Sequence, residues 1–144
     1  MIYQATVKDV PKIIPCAAEY TDIIPDMKFN PDHYVQFWQN MLKSGLGVIF
    51  LSEVDGVVLG GIGGIKFPEA LSGRMTAVEM FWYTAKETRG DGVKLYLKFK
   101  KWAKENGCER LAMIYLPCSM PDKLKAFYDK EGFSLIEMHY EMAL

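Results

Sequence analysis

The chain has 144 residues, 50% of them hydrophobic and 24% charged, with a formal net charge of −1. That length suits one domain spanning residues 1–144, with enough chain to build a proper core. The near-neutral balance excludes a global basic field of the kind that draws nucleic acid, and no apolar run is long enough to cross a bilayer.

The first residues alternate as a strand over positions 2–7 and do not read as a signal peptide, so the expected location is cytoplasmic. Cys16, Cys108 and Cys118 are scattered, with no zinc or redox spacing, and read as reduced thiols. His33 and His139 lie far apart and form no metal constellation, so no metal is expected.

Thr6 or Asp9 is placed to cap a helix over about residues 10–20, whose apolar stripe is Ile13, Ile14, Ala17 and Ala18. Pro11 suits its first turn, whereas Pro15 implies a kink or a break. Asn30-Pro31-Asp32 opens a second helix bearing Tyr34, Phe37, Trp38, Met41 and Leu42, which stops at Ser44-Gly45. Core packing is the expected use of its aromatic residues. Two strands follow, over residues 47–54 and 57–65, joined by Asp55-Gly56, a two-residue hairpin signal. The second carries four glycines, either for tight packing or to let a ligand lie against it.

After a loop comes an aromatic strand over residues 75–84. Then Arg89-Gly90-Asp91-Gly92 leads into a long helix that ends near Gly107. A glycine-bearing turn at a helix start aims free backbone N–H groups at one point. The helix dipole adds partial positive charge there, so the turn is a candidate anion site for a phosphate or pyrophosphate. No nucleotide-hydrolase loop or complete dinucleotide fingerprint is present. Arg89-Gly90-Asp91 also spells a cell-adhesion tripeptide, but nothing here suggests export. A strand over residues 110–116, a helix over 122–131 stopped by Gly132, and a last strand over 133–142 complete the chain. One antiparallel meander followed by a strand–helix–strand crossover gives an α+β (mixed α/β) layer with a central sheet.

The element order and two motifs resemble the GNAT-type N-acetyltransferase superfamily over nearly the whole chain. The family's pyrophosphate loop, Arg/Gln-x-x-Gly-x-Gly/Ala, is similar to the stretch from Arg89 to Lys94, and its Tyr-x-x-x-Gly-Phe helix end matches Tyr128 to Phe133. The resemblance implies transfer of an acetyl group from acetyl-CoA to a primary amine by direct attack in a ternary complex. It implies a cleft where the aromatic strand splays from the strand after the long helix. Backbone groups of Trp82 and Thr84, with Tyr83 between them, would line the pantetheine arm. Arg89, Gly90, Asp91, Gly92, Val93, Lys94 and Leu95 would form the pyrophosphate loop.

The chemistry needs a base for the amine, a donor for the developing oxyanion and a proton for the leaving thiolate. Tyr128 is the candidate for the last role. Glu79, an acid in an apolar strand, is the candidate base, because burial raises a carboxyl pKa. Its alternative is a carboxylate facing solvent. By strict alternation Glu79 shares a face with Phe81 and Tyr83. Tyr83, a water chain or Glu53 are further candidates for the base.

Four departures stand out. Lys94 replaces a small residue, Lys86 replaces a proline, Pro121 replaces an asparagine, and Asp91 brings a negative charge expected to point to solvent. Two other readings therefore stay open: a GNAT-fold module that binds CoA or a protein partner without turnover, and an unrelated nucleotide binder. The lysines of the long helix suggest a solvated face or attraction for the adenosine phosphate. The acceptor amine is not legible; a small molecule or a peptide or protein both fit. Neither nucleic acid nor membrane is an expected partner, and homodimers, frequent in the family, are possible.

Overall fold

The computed structural model describes Met1–Leu144, in two compact units: Met1–Ile114 and Tyr115–Leu144. The first unit is built on a five-stranded sheet in the order β1-β2-β3-β4-β5. Its strands are β1 (Ile2–Gln4), β2 (Gly47–Val54), β3 (Val57–Pro68), β4 (Met75–Thr84) and β5 (Arg110–Ala112). The pairs are antiparallel except β4–β5, which is parallel across the helix that connects them.

Asp55 and Gly56 both have positive φ, 51° and 81°, as a type I′ turn requires, so the tight β2–β3 hairpin follows from that dipeptide. The first helix divides as Pro15 implies. A 3-10 helix (Val7–Ile13) gives way to α1 (Ile14–Asp22), with Pro15 in the first turn of α1, where its missing N–H costs least. The Asp9 carboxylate accepts from both the backbone N–H and the hydroxyl of Thr6. α2 (Pro31–Lys43) starts where the Asn30 side chain accepts from the His33 N–H, and ends before Gly45, at φ 72°.

The sheet is buried on both faces, and β2 shows the division by alternation. Ile49 and Leu51 join Val10, Ile13, Cys16 and Trp38 on the face covered by the 3-10 helix, α1 and α2. Val48 and Phe50 join Leu95, Phe99, Trp102 and Ala103 of α3 (Asp91–Glu105) on the other. Each buried Val, Leu, Ile or Phe among these contributes about 1.5–3 kcal/mol of transfer free energy. The α2 aromatics serve the core: Trp38 meets Phe81 edge to face at 5.4 Å, and Tyr34 lies 6.4 Å from both.

The β3 glycines are for packing. A Cβ at Gly63 would lie 2.3 Å from the Phe81 ring, and one at Gly64 would lie 2.3 Å from the Phe99 ring. Between these two glycines the β3–β4 register shifts. Gly64 stands opposite Glu79 and Gly63 opposite Phe81, so Met80 is an extra residue on β4.

Two expected strands change. β5 pairs only through Ala112 and does not continue to residue 116. In the second unit α4 (Pro121–Glu131) forms and is stopped by Gly132 at φ 86°. The segment after it, expected as a strand over residues 133–142, is not in strand conformation.

Candidate active site

The candidate site forms where β4 and β5 part. Their register runs Thr76 with Arg110, Ala77 with Leu111 and Val78 with Ala112, then stops. Beyond it the backbone N–H of Ile114 donates to the Glu79 carboxylate at 2.9 Å. On the other edge of β4, the Ala85 N–H donates to the Leu59 carbonyl at 2.8 Å. Alternation then turns the main-chain groups of Tyr83 towards β3 as well. The N–H and C=O of Trp82 and Thr84 face outward, along an edge that β5 no longer covers. Trp82 and Thr84 are the residues expected to line the pantetheine arm.

Glu79 is 2% exposed, which excludes the alternative of a carboxylate facing solvent. The face assigned to it by strict alternation is corrected by the Met80 bulge. Glu79 lies opposite Gly64, which faces Phe99 and α3; Phe81 lies opposite Gly63, which faces Trp38 and α2. Residues before and after the bulge therefore point to opposite faces under the same numerical parity. Burial pushes the Glu79 carboxyl up to about 8, only partly offset by the Ile114 N–H.

Tyr83 lies on the α1 side, where its hydroxyl donates to the Glu19 carboxylate. Burial first, and then that carboxylate, push its phenol up to about 12, so it holds its proton near neutrality and is a poor base. A cavity of about 430 Å3 opens on this side, lined by Lys12, Cys16, Glu19, Val58 and Tyr83 among others. Its charged groups are already engaged, Lys12 with Asp9 and Glu19 with Tyr83. Glu53 is two strands away from β4 and accepts from the Tyr3 hydroxyl, which removes it from the set of bases at this fork.

The turn before α3 is pinned from below. Residues Lys86–Thr88 form a 3-10 turn, and the buried Thr88 hydroxyl donates to the Leu59 carbonyl at 3.2 Å. The Trp82 indole N–H donates to the Gly92 carbonyl at 3.1 Å, tying β4 to the first turn of α3. Leu95 is buried in the core beneath that turn, while Arg89, Gly90, Val93 and Lys94 are exposed around it. The first N–H groups of α3 have no carbonyl one turn back within the helix. Nothing lies within 4 Å of a Cβ built on the exposed Gly90, so the backbone there is open to close approach; Gly92 is buried, and a Cβ on it would meet Trp82 and Thr84 in ordinary contact at 3.7–3.8 Å.

Asp91 departs from expectation. Its carboxylate does not point to solvent: it accepts from the hydroxyl of Ser52, itself fully buried, at 2.7 Å, and pairs with Lys94 at 2.9 Å. Lys94 and then Ser52 hold the Asp91 carboxyl below its usual range. Lys94 thus pairs with the one carboxylate in the glycine turn. Further along the helix Lys101 pairs with Glu105, and Lys100 lies over the Tyr96 ring.

Sequence reading missed Ser52 and Ile114. The only local trace of Ser52 was a hydroxyl in an apolar strand; Ile114 acts through its backbone, which no side chain announces.

Tyr128 belongs to the second unit, near the end of α4, with its ring against Phe127 at 5.9 Å and Phe133 at 5.2 Å. The other candidate residues all belong to the first unit. No group of histidines, cysteines and acids is arranged to hold a metal ion, and no helix is long and apolar enough to cross a membrane.

No protein of curated function matches the sequence. Solved structures do match it. One is a probable acetyltransferase at 21% identity, with a TM-score of 0.77 over 100% of this chain and 97% of that one. Another is a predicted acetyltransferase with acetyl-CoA from Clostridium acetobutylicum, at 18% identity and a TM-score of 0.75 over 99% and 95%. A third is a ribosomal-protein-alanine N-acetyltransferase from Brucella melitensis biovar Abortus 2308, at 18% identity and a TM-score of 0.71 over 100% and 99%. At these identities the likeness speaks for the fold. The sequence itself matches the profile of the acetyltransferase (GNAT) family over residues 16–133, a span holding both the forked sheet and the glycine turn. With that match over most of its length, the chain belongs to the GNAT family of acetyltransferases.

Proposed function

We propose that this protein is an N-acetyltransferase that moves an acetyl group from acetyl-CoA to a primary amine, by direct attack in a ternary complex. The observation that carries the reading is the end of β4–β5 pairing at Val78, with the main-chain groups of Trp82 and Thr84 turned away from β3 and the strand running toward a glycine turn at the start of α3. An extended amide-bearing arm pairs with such an edge as an added strand does. A pyrophosphate at its end meets the N–H groups of the first turn of α3 and the positive end of the helix dipole. The residues present fit that donor: β5 does not pair with β4 beyond Val78, and the turn has space at Gly90. The Asp91 carboxylate in the same turn is compensated by Lys94 and Ser52.

The roles follow from proton and charge balance. The amine nitrogen forms the new C–N bond as the C–S bond breaks. Glu79, with a pKa of about 8, is matched to take the ammonium proton, directly or through water. An outward-facing backbone N–H of β4 stabilises the carbonyl oxygen as charge develops on it. The proton for the leaving thiolate is assigned to Tyr128 on the strength of its motif. The acceptor is an amine of a small molecule, peptide or protein. The cytoplasm is the proposed location, and a homodimer is a possible assembly.

The test is isothermal titration of the full chain with acetyl-CoA, alongside Gly92→Glu. Binding that is lost in the variant, followed by turnover in an amine screen with Tyr128→Phe as control, supports the enzyme. Absence of binding by the native chain refutes it. Binding without turnover on any amine favours a non-catalytic module on the same fold.

A further inference from the structure

We propose that the Glu79 side chain is the spacer that ends the β4–β5 ladder, which makes it a positioning residue for the acyl donor as well as a candidate base. This rests on the reading that the open edge of β4 receives that donor.

Three features converge on this residue. The backbone pairing of β4 with β5 stops at Val78 and Ala112, and the bridge beyond it is a side chain, the Glu79 carboxylate accepting from Ile114 N–H at 2.9 Å. A ladder bond holds two strands ~4.8 Å apart; a bridge made by a side chain permits a wider gap. Secondly, Glu79 has little room to lean toward β3. Its partner across that ladder is Gly64, and the Phe99 ring fills the place where a side chain at 64 would begin, 2.3 Å from an ideal Cβ. The carboxylate is left to reach toward β5. Thirdly, the Met80 bulge follows immediately, and it turns the main-chain groups of Trp82 and Thr84 toward the side that β5 has left.

A 2%-exposed carboxyl is costly in a strand of apolar residues, so its persistence calls for a return. Here the return is local geometry. Without an acceptor at position 79, Ile114 N–H loses this partner and β5 is released to follow β4 past Ala112. Such pairing would occupy the edge that the donor needs.

The proposal separates two properties of one side chain. Its oxygen acceptor and its length serve the fork; its ionisable proton serves the chemistry. Glu79→Gln keeps the first and removes the second. Glu79→Leu keeps the bulk and removes both, and Glu79→Asp keeps the acceptor but shortens the reach.

Two readouts test this. Acetyl-CoA affinity by titration should stay within about twofold of wild type in Glu79→Gln and fall roughly tenfold or more in Glu79→Leu and Glu79→Asp. Amide hydrogen exchange at Ile114, measured on the unliganded proteins, should remain slow in Glu79→Gln and accelerate roughly tenfold or more in the other two. If Glu79→Leu does not fold, Glu79→Asp carries both measurements. In steady state, Glu79→Gln should lose kcat at an unchanged KM for the donor, whereas Glu79→Asp should raise that KM.

Wild-type affinity in Glu79→Leu or Glu79→Asp, or unchanged exchange at Ile114, would overturn the spacer. Failure of the wild type to bind acetyl-CoA would instead overturn the proposed function. Exchange at Ile114 would then still decide whether Glu79 spaces the strands.

Discussion

Replacing Glu79 by glutamine should stabilise the protein at neutral pH and leave its stability in acid almost unchanged. The carboxyl is buried, and burial lifts its pKa from 4.5 to about 8. In the unfolded chain it ionises near 4.5; in the fold it keeps its proton until about pH 8. Between those values unfolding releases a proton, so this group's contribution is fully present below about pH 4.5 and is lost as pH rises through 8. With one pKa unit equal to about 1.4 kcal/mol, the loss is about 3 kcal/mol at pH 7 and about 5 kcal/mol above pH 8. Glutamine cannot ionise, yet it has nearly the same shape and retains an oxygen to accept from Ile114 N–H. Groups elsewhere titrate alike in both proteins and cancel in the difference. Urea unfolding of wild type and variant at about pH 4, 5.5, 7 and 8.5 measures it directly. The gap should be near zero at the lowest pH, widen steadily, and level off above 8, with melting temperatures on the order of 10 °C apart at pH 7. A gap that does not change with pH, or one in which the wild type gains on the variant as pH rises, would refute the reasoning. The first result would mean that the carboxyl titrates alike in the folded and unfolded chain, and the second that the fold favours its ionised form.

Other expected outcomes bear on the same fork. If Glu79 takes the amine proton it must be ionised to do so, hence kcat/KM should rise with pH through about 8, and that limb should vanish in Glu79→Gln. Gly64→Ala places a methyl group 2.3 Å from the Phe99 ring and 2.6 Å from the Val78 carbonyl; it should cost about 1–3 kcal/mol or more in urea unfolding. Ser52→Ala removes the buried hydroxyl that donates to Asp91, which should cost about 1.5–3 kcal/mol and raise the Asp91 pKa, readable by NMR titration of its carboxyl carbon.

Local signals decided much of this protein. Asp55-Gly56 determined a hairpin, because only residues tolerant of positive φ make a type I′ turn. Asn30-Pro31 determined a helix start, since a side-chain cap and a proline suit positions whose N–H groups lack partners in the helix. The order of elements, with Arg89 to Lys94 and Tyr128 to Phe133 in their places, was enough to name the family. Each of these depends on residues near one another in the chain.

What escaped the sequence depended on partners distant in it. The face of Glu79 turned on the Met80 bulge, and that bulge belongs to the register against Gly63 and Gly64; period-two counting sees one strand at a time and cannot see a register. The inward turn of Asp91 depended on Ser52, 39 residues away. The β4–β5 pairing ends at Ala112, although the sequence to residue 116 looks like a strand. The sequence alone determined the hairpin, the helix starts and the glycine turn before α3, because those arise from contacts within a few residues. Only the tertiary structure decided which groups meet at the fork, because a buried carboxyl and an N–H 35 residues further along become partners when the sheet brings their strands together.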